Sequence, residues 1–208
     1  LLRGLREPAA RNVRRGLLHD LLPPRADLFH GLNQRLPARP PHLSVCTFHD
    51  LFVLTGEYST PEFRARFAEQ ARHAARHAAR IIAVSAFTAS EVERLLGVER
   101  ARIRVVHHGV RALPVPAGVA REKVVLHVGA IQKRKNVAAL VEAFEQAGAG
   151  WRLVLAGSAG YGASQILRRI ENSPARDRIA VTGYLPAAEL AAWYGRASVF
   201  AFPSLDEG

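Results

Sequence analysis

REKVVLHVGAIQKRKNVAALVEAFEQAGAGWRLVLAGSAGYG, residues 121–162, decides the fold. It opens with an apolar run of strand length, 124–128. A helical segment follows at 137–146, then a second apolar run, 152–156, and a glycine-rich turn. Runs of four to eight apolar residues bounded by turn residues read as strands buried on both faces, which is the environment inside a parallel sheet. A strand, a helix and a second strand in that order predict a βαβ unit with a right-handed crossover.

The same alternation continues in both directions. Downstream the pattern predicts a strand at 179–182, a helix at 187–196 and a strand at 199–202, after which the chain stops at Asp206-Glu207-Gly208 in what reads as a strand-to-helix loop. Upstream lies a stretch from Arg111 to Glu122 with Pro114, Pro116 and Gly118 and no periodicity, which marks a domain boundary. Before it come strands at 27–30, 42–48, 81–84 and 103–106 and a helix at 85–96. A longer helix runs from Thr60, as N-cap, and Pro61, at the first helical position, to about Arg80. Its stripe of Phe63, Phe67, Ala71, Ala74 and Ala78 is expected to be buried, with Arg72, Arg76 and Arg80 on a basic flank. A basic helix is expected to precede Pro23-Pro24. The domains are thus a partial N-terminal one over 1–111, a linker over 112–122 and a partial C-terminal one over 123–208.

Composition narrows the class. Of 208 residues, 49% are hydrophobic and 23% charged, the balance of a chain that buries a core rather than of a disordered one. No apolar run approaches the ~20 residues that span a bilayer. The one cysteine, Cys46, forms no internal disulfide and fits a reducing compartment, so a cytoplasmic location is expected. A net charge of +11, carried mostly by arginine, attracts phosphate of any kind and names no function. The absence of methionine implies that the natural start lies outside this sequence.

In a parallel α/β sheet, ligands sit beyond the carboxyl ends of the strands, so the loops there are the places to look. Gly129 to Asn136 brings Lys133, Arg134 and Lys135 to the start of a helix, where its dipole, free backbone N–H groups and cationic side chains favour a phosphate; a basic loop capped by Asn136 is the plainer alternative. Gly157, Ser158 and Gly160 belong to a turn that lets backbone approach a nucleotide. Its glycines miss the G-x-G-x-x-G spacing, which argues against a nicotinamide cofactor. Gly183-Tyr184 is a candidate base pocket, and Asp206-Glu207 offers carboxylates for sugar hydroxyls. His73 and His77 have a zinc-site spacing on a helix, but Ala74-Ala75-Arg76 between them supplies no carboxylate base.

Taken together, "HVGAIQKRKNVAALVEAF", "WRLVLAGSAGYG" and "VTGYLPAAELAAWYGRASVFAFPSLDEG" resemble the donor-binding domain of the retaining glycosyltransferases of family 4. "DLFHGLN", "SVCTFHDLF", "IIAVSAFTASEVERLLGV" and "RIRVVHHGV" resemble that family's acceptor domain. The likeness covers nearly all of the chain from Asp27 onward. It implies the GT-B fold, two Rossmann-like parallel-sheet domains facing a cleft, both incomplete here.

The resemblance assigns Lys135, helped by Arg134, to the donor diphosphate, with Gly129, Asn136, Gly157, Ser158, Gly160, Gly183 and Tyr184 around the donor. Glu207 matches the first glutamate of the family's paired-glutamate motif, which holds the donor sugar; the second would lie past Gly208. His49, with His30 and Asp50, is implied on the acceptor side. Ala130 stands where many members carry a phosphate-binding arginine. Transfer of a sugar from a nucleoside diphosphate to an acceptor hydroxyl with retention is implied, with Lys135, Glu207 and His49 catalytic and no metal or other cofactor. "TFHDLF" and "QKRKN" look most like bacterial enzymes of cell-surface polysaccharide assembly, often mannosyl- or rhamnosyltransferases. The implied partners are a nucleotide sugar and a saccharide or lipid-linked saccharide acceptor, with no nucleic acid; the Arg72, Arg76 and Arg80 flank offers peripheral contact with anionic membrane at the inner face, a solvated helix surface being the plainer alternative. A sugar-nucleotide epimerase of the same architecture, or a non-enzymatic basic module binding nucleic acid or membrane, are the competing classes.

Overall fold

The computed structural model describes residues 27–112, 114 and 118–208. The expected helix before Pro23 lies outside them. Contacts divide the chain into two units: residues up to His49 with Glu69–Val106, and Asp50–Ala68 with His107–Gly208.

The first unit carries a four-stranded sheet in the order β1-β2-β3-β4, formed by Phe29–Gly31, Ser44–Phe48, Arg80–Ala83 and Ile103–Val105. Every pair is parallel. Cys46, Phe48, Ile81 and Ala83 have no exposed surface, as expected for strands covered on both faces. After α1 (Phe52–Thr55), the long helix α2 spans Pro61–His77, three residues shorter than the sequence suggests, so Arg80 opens β3 instead of extending a helical flank. Arg102 explains that end: its guanidinium donates to the carbonyls of Ala75 and Ala78, at 2.7 and 2.5 Å, satisfying acceptors that a further helical turn would use. Of the apolar stripe, Phe67, Ala71, Ala74 and Ala78 are buried, whereas Phe63 is exposed with the Arg66 guanidinium 5.4 Å over its ring. Phe63 lies in the first helical turn, one turn before Phe67, its ring 6.4 Å from that of Phe67. Helix α3, Ala86–Leu96, starts at Ser85, whose hydroxyl accepts from the Thr88 N–H at 2.9 Å, and stops at Gly97 in the left-handed conformation.

In the second unit the sheet order is β7-β6-β5-β8, again all parallel: β5 is Glu122–Val128, β6 Arg152–Ala156, β7 Ile179–Gly183 and β8 Ala197–Phe200. β5 begins inside the stretch expected as linker because Glu122 pairs with Ala197 and forms ion pairs with Arg196 and Arg152. β8 begins two residues earlier than the apolar pattern suggests.

Side-chain alternation sorts the two faces. Leu153 and Leu155 pack with Val137, Val141 and Phe144 of α4 (Val137–Glu145) and with Ile166 and Ile170 of α5 (Ala163–Glu171). Val124, Leu126 and Val154 face Leu190 and Trp193 of α6 (Ala187–Arg196). Each fully buried aliphatic side chain contributes about 1.5–3 kcal/mol of transfer free energy.

This topology positions the site. The chain steps from β5 to β6 to β7 in one direction and then returns to place β8 on the other side of β5. Crossover direction reverses between β5 and β8, the topological position beside which doubly wound sheets bind ligands.

Candidate donor site in the second unit

The loop leaving β5 is set by backbone pairing. Gly129 N–H donates to Ala156 O at 2.9 Å, Ile131 N–H to Ser158 O at 2.9 Å, and Gly160 N–H to Ile131 O at 2.9 Å, so the two loops run together. A Cβ at Gly157 would overlap the carbonyl of Gly129, so only glycine permits this approach. Ser158 therefore contributes its carbonyl to the loop pairing. Gly160 faces the Gln132 side chain, and Gly183, at φ 72°, precedes Tyr184, which is 84% exposed.

Lys133–Lys135 forms a single 3-10 turn that closes at Asn136, the one non-glycine residue with positive φ (54°) among those described. Asn136 occupies the N-cap position of α4 but makes no side-chain capping bond. The first N–H groups of α4 are thus left without that partner.

The turn points its three cations differently. Lys133 is exposed, while Arg134 is 8% exposed. Arg134 Nη1 donates to Asp206 O at 2.5 Å and pairs with Glu207 Oε2 at 2.7 Å, and Phe52 covers the guanidinium face at 4.0 Å. Lys135 Nζ donates to the other oxygen of Glu207 and lies 4.6 Å from the centre of the Phe202 ring. Leu205 N–H donates to Arg134 O at 2.9 Å, and Thr55 donates its hydroxyl to Asp206 Oδ2 at 2.5 Å. Lys135 from the β5 loop and Glu207 from the β8 loop thus meet across the crossover reversal.

Electrostatics follow. Partial burial, the largest single influence on Glu207, pushes its pKa up; hydrogen bonds from Lys135 and Arg134 and the Arg134 charge oppose it, and the carboxyl is held below its ordinary value. His127, the last residue but one of β5, has no exposed surface. Its Nδ1 lies 3.0 Å from Ala201 O, and its ring stacks on Phe202 with centroids 6.1 Å apart. Burial lowers its pKa, the Ala201 hydrogen bond opposes this, and the Lys135 charge lowers it further.

Lys135, Arg134 and Glu207 are brought together; Gly129, Gly157 and Gly160 shape the loops beside them. In the first unit, His30 Nε2 is 2.8 Å from Thr47 Oγ1, and His49 Nε2 donates to Leu32 O at 2.8 Å. Asp50 follows directly in sequence and groups with the second unit. Sequence reasoning passed over His127, Phe202, Phe52 and Thr55. Only His127 carries a local signal, as the one polar side chain within the VVLHV run.

Two parallel-sheet α/β units of Rossmann type, the second with a cation–carboxylate cluster at its crossover reversal, define a GT-B protein. The chain belongs to glycosyltransferase family 4: residues 3–112 match the family described as Glycosyltransferase Family 4, and residues 115–208 match the one described as Glycosyl transferases group 1. It is 28% identical over 198 residues to the O-antigen chain mannosyltransferase B of Escherichia coli, an alignment covering 87% of this chain and 52% of that protein. Among solved structures it is similar to Anabaena HepE in complex with UDP and glucose, with a TM-score of 0.61, 19% identity, and coverage of 78% of this chain and 46% of that one. The sucrose-phosphate synthase of Thermosynechococcus elongatus gives a TM-score of 0.58 at 21% identity, over 77% of this chain and 44% of that one. The chain thus spans about half the length of these relatives.

Proposed function

We propose that this chain carries the donor site of a retaining glycosyltransferase that moves a sugar from a nucleoside diphosphate to an acceptor hydroxyl. The observation that carries the reading is the Lys135–Glu207–Arg134 cluster where the β5 and β8 loops meet. Sugar transfer leaves negative charge on the departing diphosphate. Lys135, with the uncapped N-terminus of α4 behind it, is a fixed source of positive potential for that charge, so electrostatic stabilisation is the main catalytic contribution. Arg134, largely buried, acts chiefly by holding Glu207 and the 204–207 loop. Glu207 keeps Lys135 oriented and offers its carboxylate to donor-sugar hydroxyls. These cations take the role that a metal plays elsewhere, and the reading calls for no cofactor.

Likeness to an O-antigen mannosyltransferase supports mannose as the sugar and cell-surface polysaccharide as the product, with His49, His30 and Asp50 on the acceptor side. Among the described residues no helix is long and apolar enough to cross a membrane. Work at the cytoplasmic face, with exposed Arg72 and Arg76 toward anionic lipid, fits a lipid-linked acceptor.

Radiolabelled GDP-mannose and UDP-glucose, incubated with the protein and saccharide acceptors, test the reading. Label is expected to move to the acceptor with its anomeric configuration kept. Release of an isomerised sugar nucleotide without acceptor, or no binding of either donor, would overturn it.

A further inference from the structure

His127 holds one ring nitrogen that nothing in the described structure uses. The residue is fully buried, and its Nδ1 faces the carbonyl oxygen of Ala201. A carbonyl only accepts, so Nδ1 carries the hydrogen and Nε2 of the neutral ring presents a bare lone pair. That Nε2 is buried without a partner. Burial and the Lys135 charge keep the ring neutral, so Nε2 stays an acceptor.

The direction of Nε2 gives it meaning. It lies 3.5 Å from the point where a side chain at Gly129 would begin, and Lys135 Cε lies 3.9 Å from the same point. Gly129 has no side chain there, and its φ of 153° disfavours one. Nε2 and the donor lysine thus flank a single side-chain-free position at Gly129, where the chain leaves β5. A buried acceptor without a donor destabilises a fold, and such groups occur where a ligand completes them. A neutral lone pair rejects a phosphate oxygen and takes an O–H.

We propose that His127 is a specificity residue of the donor site, whose Nε2 accepts a hydrogen bond from a hydroxyl of the nucleotide sugar reaching it past Gly129. This rests on the donor-site reading above. The hydroxyl belongs to the transferred sugar or to the ribose, and the test separates them.

Affinities of the full chain for UDP, GDP, UDP-glucose and GDP-mannose are measured by titration calorimetry for wild type, His127→Asn and His127→Gln. Asparagine places an amide N–H where Nδ1 sits and nothing at Nε2; glutamine reaches the Nε2 position with its oxygen. His127→Asn is expected to bind the cognate sugar nucleotide about tenfold more weakly, the size of one lost neutral hydrogen bond. If only sugar nucleotides weaken, the hydroxyl is on the sugar. If free diphosphates weaken equally and His127→Gln restores both, it is on the ribose. Unchanged affinities, or an equal loss that glutamine does not restore, overturn the proposal. Should His127→Asn fail to fold, Gly129→Ala, which puts a methyl at the same position, must give the loss instead; unaltered affinity there also overturns it. Wild type that binds none of the four compounds would instead sink the donor-site reading itself.

Discussion

Lys135 and Glu207 come from loops 72 residues apart in sequence and form one ion pair across the point where the second sheet reverses its crossovers. Arg134 shares the same carboxylate from the other side. Two cations on one acid leave the cluster with surplus positive charge.

Replacing Lys135 with alanine removes that charge while leaving the helix start in place. In the intact enzyme, turnover of the sugar nucleotide is expected to fall by ~10²–10³, the cost of losing one preorganised charge contact. Steady-state kinetics with saturating donor give the answer, and turnover within twofold of wild type would remove Lys135 from the mechanism.

Glu207 makes stability depend on acidity. Its folded pKa lies below the unfolded value, so its contribution is present above the ordinary glutamate range and is lost as pH falls through the folded pKa. Between about pH 5 and pH 3 the melting temperature of wild type should fall more steeply than that of Glu207→Gln, in which this titration is absent. Parallel curves in thermal melts across that window would show that the carboxyl is not held as described. Glu122 and Glu145 titrate alike in both proteins, so the difference isolates Glu207.

Gly157→Ala tests the loop pairing. The added methyl meets the backbone of Gly129, which has no flexible side chain to give way. A loss of about 1–3 kcal/mol is expected from urea unfolding, the usual cost of overpacking. Wild-type stability would mean that the 129–133 and 157–161 loops separate freely.

Phe52 covers the guanidinium of Arg134 within the second unit. Phe52→Leu keeps apolar contact and loses the ring face, and is expected to cost ~0.5–2 kcal/mol. In an Arg134→Met background the same change should cost almost nothing, and a double-mutant cycle by chemical denaturation reads the difference.

Cys46 is a buried strand residue whose thiol donates to Asn33 O at 2.9 Å, and burial pushes its pKa up to about 12. The native protein should therefore resist a thiol reagent at pH 8 and react with one equivalent once unfolded. Rapid labelling without denaturant would contradict the placement of β2.

The sheet class was legible in the sequence because apolar runs such as 124–128 and 152–156 can be satisfied only by burial on both faces. Candidate loops followed from strand ends, and Lys135 and Glu207 stand out there because charge at a strand end is visible in one dimension. Strand limits were less legible. β8 starts at Ala197 because it pairs with Glu122, a neighbour that no local pattern reveals. The long helix stops at His77, where Arg102, 25 residues on, takes the carbonyls of Ala75 and Ala78.

The sequence by itself determined that this chain folds as alternating strands and helices and that cations precede a helix at the end of β5, since hydrophobic period and local charge are properties of neighbours in the chain. Only the tertiary structure decided that Arg134 is buried against Phe52, that Glu207 closes on Lys135, and that His127 keeps a lone pair beneath Gly129. Those arrangements depend on which loops the sheet order brings together, and that order is fixed by packing of both faces at once, which no stretch of sequence contains.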